Sequence, residues 1–171
     1  MNTEHDQLTG LLSRKLIQEH LLKYSQCSII LLDIDKFQVF NACYGHTEGD
    51  QALITVAKVI RQIVPEKYKI FRSGGDEFTV MMERLPANQV IQLALQVRKA
   101  VKEQFSHLPV GQWFNLLADN SKARIQLIPF TLSCGIAFYP EHGQNFQHLR
   151  EVLYDSVFNQ GEDNVIAVAR F

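Results

Sequence analysis

The chain contains a ten-residue stretch, FRSGGDEFTV at residues 71–80, in which two glycines precede two carboxylates. β-forming residues on both sides, in KYKIFRS and EFTVMME, predict two antiparallel strands joined at the glycines. One interpretation is an ordinary hairpin, in which Gly74 and Gly75 supply the positive φ values of a two-residue turn. The other is that the turn presents Asp76 and Glu77 at a reaction site. The stretch by itself is compatible with both.

A second pair of acids follows the most apolar run of the chain. CSIILLDID, residues 27–35, predicts a buried central strand that ends at Asp33 and Asp35. The residues after Asp35 predict a short helix, whose free N–H groups favour an anion such as a phosphate. If adjacent strands bring Asp33 and Asp76 together, their oxygens form a site for Mg²⁺ or Mn²⁺ that water and substrate phosphates complete. Taken alone, a strand end followed by a helix cap explains the first pair equally well.

The elements that must position these acids alternate between helices and strands. Periodicity predicts helices over residues 13–24, from a turn at 45–49 to the residue before Pro65, over 90–105 and over 146–158. Further strands are predicted within residues 125–140 and 164–171. The central hairpin excludes a purely parallel array, so we expect an α/β (α+β) fold with a mixed or mainly antiparallel sheet. Residues 106–125 combine turn signals with Trp113, which would suit an extra strand.

Length and composition indicate a single domain over residues 1–171, with an N-terminal segment at 1–12. The chain is 46% hydrophobic and 20% charged with a net charge of −1, which gives no general reason to expect nucleic acid or an anionic membrane as a partner. No apolar run approaches a bilayer span, and no secretory signal is visible. The three cysteines lie in apolar surroundings and the six histidines are scattered, so we expect a cytoplasmic protein without a zinc site.

Read together, DIDKFQVFNACYGHTEGD and RSGGDEF closely resemble the diguanylate cyclase family, the GGDEF domains. The family pattern is D-x-D-x-F-K, then N, then G-H-x-x-G-D, then R-x-G-G-[DE]-E-F. The matching positions are Asp33, Asp35, Phe37, Asn41, Gly45, His46, Gly49, Asp50, Arg72 and residues 74–78. DQLTGLLSR and TLSCGIAFYP resemble two more family segments. The resemblance runs from Asp6 to the C-terminus and is weakest over residues 106–125 and after residue 150.

The resemblance implies a fold like that of adenylyl cyclases and polymerase palm domains, with a five-stranded, mainly antiparallel sheet flanked by helices. It implies condensation of two GTP molecules into cyclic di-GMP with release of two pyrophosphates. The reaction would take place in a homodimer in which each subunit holds one GTP. Two Mg²⁺ or Mn²⁺ ions per active site would neutralise the triphosphate and lower the pKa of the attacking hydroxyl.

The same resemblance assigns metal-binding and catalytic roles. Asp33 and Asp76 would bind the metal ions together with the backbone carbonyl of Ile34. Asp76 and Glu77 would form the catalytic pair, with Glu77 beside the ions, where it orients water or takes part in proton transfer.

It also assigns substrate-binding roles. Asn41 and Asp50 would read guanine, because a carboxylate accepts from N1–H and the 2-amino group together, which adenine cannot offer. The backbone amides of Phe37 and Gln38 would cradle the phosphates. The remaining substrate-binding positions are Gly74 and Gly75, where the backbone comes close to the triphosphate, and His46. His46 either contacts the substrate or forms a hydrogen bond within its own turn.

Three cationic phosphate contacts of the family pattern are missing or reversed. One lysine is Gln38 here, and in the closing segment EVLYDSVFNQGEDN a lysine and an arginine are Phe158 and Glu162. Each charge-assisted contact is typically worth roughly 1.5–3 kcal/mol, so the affinity for GTP should be lowered. The R-x-x-D site at which many members bind their product is replaced by Pro65 and Tyr68, so tight inhibition there is not expected.

Two other functions are to be weighed against an active cyclase. One is a regulatory GGDEF domain that binds GTP or a protein partner without turnover, which agrees with the absence of the three cationic side chains of the family pattern. The intact Asp33, Asp76 and Glu77 favour the enzyme. A response-regulator receiver also has paired acids after its first strand, but the glycine hairpin does not fit that fold. Five residues precede Asp6, so we expect either a sensory or dimerising module in a longer protein or another dimer contact.

Overall fold

The computed structural model describes residues 4–106, 130–157 and 165–169. The strands are β1 (Leu12–Ser13), β2 (Cys27–Ile34), β3 (Lys69–Arg72), β4 (Glu77–Glu83), β5 (Leu132–Tyr139) and β6 (Ile166–Val168). The helices are α1 (Ile17–Leu21), α2 (Phe37–Tyr44), α3 (His46–Ile63), α4 (Ala87–Ser106) and α5 (Phe146–Val157), with a 3₁₀ turn at Arg14–Leu16. None of the helices in this described part of the chain is long and apolar enough to cross a membrane.

The sheet has the predicted antiparallel centre, but the expectation of five mainly antiparallel strands is wrong. Six strands lie in the order β1-β3-β4-β2-β5-β6. β3, β4, β2 and β5 pair antiparallel, whereas the edge strands β1 and β6 pair parallel with β3 and β5. At one edge, β6 is parallel to β5 because α5 lies between them in the chain and returns it to the end of the sheet where β5 began. At the other edge, the two residues of β1 pair with Phe71 and Arg72, the last two residues of β3.

Two element boundaries also differ from the sequence prediction. The helix expected over residues 13–24 starts after Ser13, because Ser13 pairs with β3 as part of β1, and it consists of a 3₁₀ turn followed by the short α1, which ends at Leu21. The turn expected over residues 45–49 is Gly45 alone, with φ of 89°, and α3 begins at the next residue. The central hairpin, the helix over 90–105 and the helix from Phe146 are confirmed. Trp113 and the rest of residues 107–129 lie outside the described residues.

Helices cover both faces of the sheet, and β2 is apolar on both. Ile30, Leu32 and Ile34 join a core with residues of α2, α3 and α4. Cys27, Ile29 and Leu31 join a second core with residues of α1 and α5. Asp33 continues this second series, so the alternation of β2 places it at the end of the face that α5 covers.

Gly135 of β5 leaves room for α5. A Cβ built there would lie 2.9 Å from Leu153 Cδ2 and 3.3 Å from Val157 Cγ2. Gly135→Val should therefore lower the free energy of unfolding by roughly 1–3 kcal/mol through overpacking, as measured by urea denaturation. Adding Leu153→Ala, which is destabilising by itself, should recover part of the loss. An additive double variant would contradict the packing of Gly135 against Leu153.

Candidate active site

The acids singled out in the sequence meet where β2 ends and β4 begins. The two strands are adjacent and antiparallel, and Asp33 is paired directly with Glu77. Directly paired residues point to the same face of a sheet, so both carboxylates lie on the face that α5 covers. The N–H of Ile34 donates to the backbone carbonyl of Asp76 at 3.2 Å, which fixes Asp76 beside the end of β2. The structure therefore brings Asp33, Asp76 and Glu77 to one place.

The glycine loop before these acids is held by backbone contacts. The N–H of Gly74 donates to the carbonyl of Glu77 at 3.2 Å, and Arg72 donates to the carbonyls of Gly74 and Gly75. A Cβ at Gly74 would lie 2.9 Å from the Cβ of Glu77, so this position requires glycine. A Cβ at Gly75 would meet no described atom within 4 Å, which leaves its backbone open to a ligand. Neither glycine has a positive φ, so the interpretation as a two-residue turn with left-handed glycines is wrong.

Arg72 also ties the loop to the N-terminal segment. Its Nη1 lies 3.4 Å from Asp6 Oδ1, which accepts from the N–H of Thr9 at 2.8 Å and from its hydroxyl at 2.7 Å. Arg72 therefore braces the hairpin by pairing with an acid. An open cavity beside the loop is lined by Asp6, Ser13, Arg14, Lys15, Arg72, Ser73, Gly74 and Gly75.

The three acids are in a strongly negative environment. Burial raises the pKa of Asp33 to about 8, and the charges of Asp76, Glu77 and Asp35 add to the rise, while Arg150 opposes it. Burial also raises the pKa of Asp76, with a further rise from Glu77. Like charges gathered in this way disfavour the ionised forms unless a cation joins them. A cation between these carboxylates would therefore be favoured by the electrostatics.

Asp33 and Asp76 fit a divalent cation by the chemistry of their oxygens. Mg²⁺ and Mn²⁺ prefer carboxylate and carbonyl oxygens and commonly keep water or phosphate in their other positions. Within residues 4–106, 130–157 and 165–169, no three His, Cys, Asp or Glu side chains form a metal-binding group. An ion held by Asp33 and Asp76 would complete its shell with the carbonyl of Ile34, water and substrate oxygens.

Asp35 is bound by Ser133 of β5 and by Thr131, which directly precedes that strand. It accepts a hydrogen bond from Thr131 Oγ1 at 2.6 Å and one from Ser133 Oγ at 2.5 Å. Its N–H donates to the carbonyl of Thr131 at 3.0 Å. Asp35 thus fastens the segment after β2 to β5, where the chain turns towards α2.

Two residues of α5 bind Glu77, and the sequence analysis assigned neither of them a role. Glu77 is only 1% exposed. Arg150 donates from Nε to both carboxylate oxygens at 3.2 and 3.0 Å, its Nη2 lies 2.9 Å from Oε2, and the hydroxyl of Tyr154 donates to Oε2 at 2.7 Å. The i, i+4 spacing of Arg150 and Tyr154 on a helix was the available signal, but the sequence did not show which strand this helix faces.

The predicted guanine-reading residues lie on α2 and α3. A Cβ at Gly49 would lie 1.9 Å from Asn41 Oδ1, so only glycine lets α3 approach this side chain. Asn41 Oδ1 is buried and has no hydrogen-bond partner among the described residues. Asp50 follows Gly49 directly and is exposed. Asn41 and the backbone beside Asp50 are therefore in contact, at the junction of the two helices.

The predicted phosphate-binding amides are those of the first two residues of α2, Phe37 and Gln38. No side chain caps this helix start, and Lys36 before it has the left-handed φ of 55°. The Phe37 ring is buried, whereas the side chains of Gln38 and His46 are exposed. Because α2 starts just after β2 ends, its N-terminus lies at the same end of β2 as Asp33. The predicted losses at Phe158 and Glu162 lie outside the described residues.

A family model and solved structures agree with this architecture. The model of the diguanylate cyclase GGDEF domain matches residues 3–155. The GGDEF domain of DgcB from Caulobacter crescentus, solved in complex with c-di-GMP, is 23% identical with a TM-score of 0.75 over 99% of this chain and 97% of that chain. The active GGEEF domain of a diguanylate cyclase from Vibrio cholerae is 20% identical with a TM-score of 0.66 over 94% of this chain and 99% of that chain. At these identities the similarity establishes the fold.

A curated relative adds information on length. An uncharacterized membrane protein of Staphylococcus aureus strain USA300 is 34% identical over 114 aligned residues, and the alignment covers 62% of this chain and 32% of the relative. The chain therefore spans about a third of the length of the curated relatives that it matches.

The raised pKa of Asp33 predicts a pH-dependent gain in stability for Asp33→Asn. With a pKa of about 8, Asp33 keeps its proton in the folded chain up to about that pH, whereas in the unfolded chain it loses the proton near its ordinary pKa of 3.8. The parent should therefore lose stability as the pH rises between these values, and the uncharged variant should not. In metal-free buffer the advantage of Asp33→Asn should be small at pH 4 and reach roughly 1–3 kcal/mol at pH 8.

Urea denaturation at both pH values measures this difference. Asp35→Asn is the matched control, because it weakens the contacts with Thr131 and Ser133 and should only destabilise. An advantage of Asp33→Asn that stays constant with pH would contradict the raised pKa.

Proposed function

The chain belongs to the diguanylate cyclase family of GGDEF domains, and we propose that it condenses two molecules of GTP into cyclic di-GMP. The 3′-hydroxyl of each GTP attacks the α-phosphorus of the other, loses its proton, and displaces pyrophosphate as the bond to the bridging oxygen breaks. Two such displacements close the ring and release two pyrophosphates. Each subunit holds one GTP, so catalysis requires two copies of the domain, and the supply of GTP places the reaction in the cytoplasm.

The observation that carries this proposal is the meeting of Asp33 and Asp76 at the junction of β2 and β4. Their carboxylates and the carbonyl of Ile34 would hold the divalent ions. When bound, Mg²⁺ or Mn²⁺ would neutralise the triphosphate and lower the pKa of the attacking hydroxyl. Asp76 and Glu77 form the catalytic pair, in which Asp76 holds the metal ions and Glu77 lies beside them, where it orients water or takes part in proton transfer.

Recognition of guanine is assigned to Asn41 and Asp50. The close approach of Gly49 to Asn41 supports this assignment, because it keeps the amide at the junction of α2 and α3. The exposed carboxylate of Asp50 is available to accept from N1–H and the 2-amino group of guanine, which excludes adenine. His46, the first residue of α3, is a further substrate contact in this proposal.

The phosphates are assigned to the uncapped start of α2 and to the glycine loop. The amides of Phe37 and Gln38 carry the partial positive charge of a helix N-terminus. Gly74 and Gly75 bring backbone close to the triphosphate, and the open space at Gly75 supports this role.

A second candidate is a GGDEF domain that binds GTP or a protein partner and regulates another activity without turnover. The exposed, uncharged Gln38 favours it, since the family pattern has a lysine there. The intact Asp33, Asp76 and Glu77 favour the enzyme, because these are the acids that the cyclase reaction requires.

The cyclase reaction predicts a direct outcome with purified protein. The chain, incubated at high concentration with GTP and Mn²⁺ or Mg²⁺, should yield cyclic di-GMP and pyrophosphate, identified by chromatography and mass. Asp76→Asn, which keeps the shape but removes the charge, should lose nearly all of this activity. GTP binding without product, even after two copies are joined by a fused dimeriser, would establish the regulatory module instead.

The neutral Gln38 predicts a gain of function. Gln38→Lys should lower the KM for GTP about tenfold, because one charge-assisted contact to a phosphate is typically worth roughly 1.5–3 kcal/mol. Val39→Lys is the matched control, since Val39 is the next residue and is 44% exposed, so that it adds the same charge in another direction. Equal effects of both variants on KM would show a general charge effect and contradict a specific contact at residue 38.

A further inference from the structure

The contacts of Glu77 with α5 leave neither of its oxygens free of a donor. Oε2 lies within hydrogen-bond distance of Arg150 Nε, Arg150 Nη2 and Tyr154 Oη, and Oε1 accepts from Arg150 Nε. The two α5 residues also contact each other, since Arg150 Nη2 donates to Tyr154 Oη at 3.1 Å and the guanidinium lies 4.5 Å from the ring centroid. Glu77 is therefore bound by a preorganised pair.

The helix that carries this pair is itself fixed against the sheet. Leu149 and Leu153 on α5 are 0% and 1% exposed. Leu153 packs directly against Gly135 of β5, where a Cβ atom would leave too little space for it. Because Arg150 and Tyr154 share one side of this anchored helix, they have little freedom to follow Glu77 elsewhere.

Glu77 would otherwise be available as a third carboxylate ligand. It is paired with Asp33 across the sheet and follows Asp76 directly in the chain. A third carboxylate on the ion would occupy a coordination position and add a negative charge, and both effects compete with the phosphates of a nucleotide. Keeping Glu77 outside the coordination shell leaves these positions to the substrate.

We propose that Arg150 and Tyr154 are positioning residues that hold Glu77 beside, and not within, the coordination shell of the ion at Asp33 and Asp76. This inference rests on the metal site of the proposed function. It assigns to α5 the control of how many carboxylates reach the ion, and hence of how much of the coordination shell GTP receives.

The test is a titration of the nucleotide-free chain with Mn²⁺, in which the electron paramagnetic resonance signal of the free ion gives the Kd. Glu77→Gln should change the Kd by less than about threefold, because it removes a nearby charge but no ligand. Arg150→Gln should tighten binding roughly tenfold, because the released carboxylate becomes a third oxygen ligand. In the Glu77→Gln background, Arg150→Gln should leave the Kd within about twofold, since no carboxylate remains to be released.

The double-variant comparison separates this role from a plain charge effect. Removing the charge of Arg150 would by itself tighten Mn²⁺ binding in both backgrounds alike, and that result would overturn the inference. If Glu77→Gln weakened Mn²⁺ binding more than about tenfold, that result would also overturn the inference, because Glu77 would then be a ligand of the ion. Should Arg150→Gln fail to fold, Tyr154→Phe, which changes no charge, should tighten binding in the parent but not in Glu77→Gln.

Failure of the proposed function gives a different pattern. If Asp33→Asn binds Mn²⁺ as tightly as the parent, or the parent binds none, the metal site itself is wrong and this inference falls with it. A different result would be that Asp33→Asn loses Mn²⁺ binding while Arg150→Gln has the same effect on the Kd in the parent and in Glu77→Gln. In that case the metal site stands and only the inference is contradicted.

Discussion

The direct pairing of Asp33 with Glu77 across β2 and β4 is the constraint on which the site depends. A shift of the register by one residue would turn every side chain of one strand to the opposite face of the sheet. In the observed register Ile30 lies opposite Val80 and Leu32 opposite Phe78, so apolar residues are paired along both strands up to the point where Asp33 meets Glu77. A one-residue slip would separate the two carboxylates onto opposite faces.

The repulsion between these neighbouring carboxylates destabilises the folded chain, and the surrounding residues reduce that repulsion. Arg150 pairs with Glu77, and its charge also opposes part of the rise in the pKa of Asp33. The carboxylate of Asp35 accepts hydrogen bonds from the hydroxyl groups of Thr131 and Ser133, which stabilise its negative charge. The repulsion that is left between Asp33 and Asp76 is the part that a divalent cation would relieve. A site that is strained without its ligand is a common feature of functional centres.

Much of this arrangement could be predicted from the sequence, because it depends on local patterns. The apolar run ending at Asp33 and the β-forming residues around Gly74 and Gly75 predicted the central strands and their acids. The contact between Glu77 and Arg150 could not be predicted, since it spans 73 residues and depends on how α5 lies on the sheet. β1 was missed for a related reason, because its two residues have no periodicity of their own. The strand predicted within residues 164–171 is present as β6, but its parallel pairing with β5 depends on the path of the chain between them and could not be predicted.

The central claim is that Asp33 and Asp76 hold the divalent ions to which GTP binds. The most direct measurement is a crystal structure of the chain with Mn²⁺ and a non-hydrolysable GTP analogue, with anomalous scattering used to locate manganese. We predict a manganese peak at about 2.1–2.3 Å from carboxylate oxygens of both residues, with Glu77 still bound to Arg150. Nucleotide bound without manganese at these two residues, or manganese held elsewhere, would contradict the account.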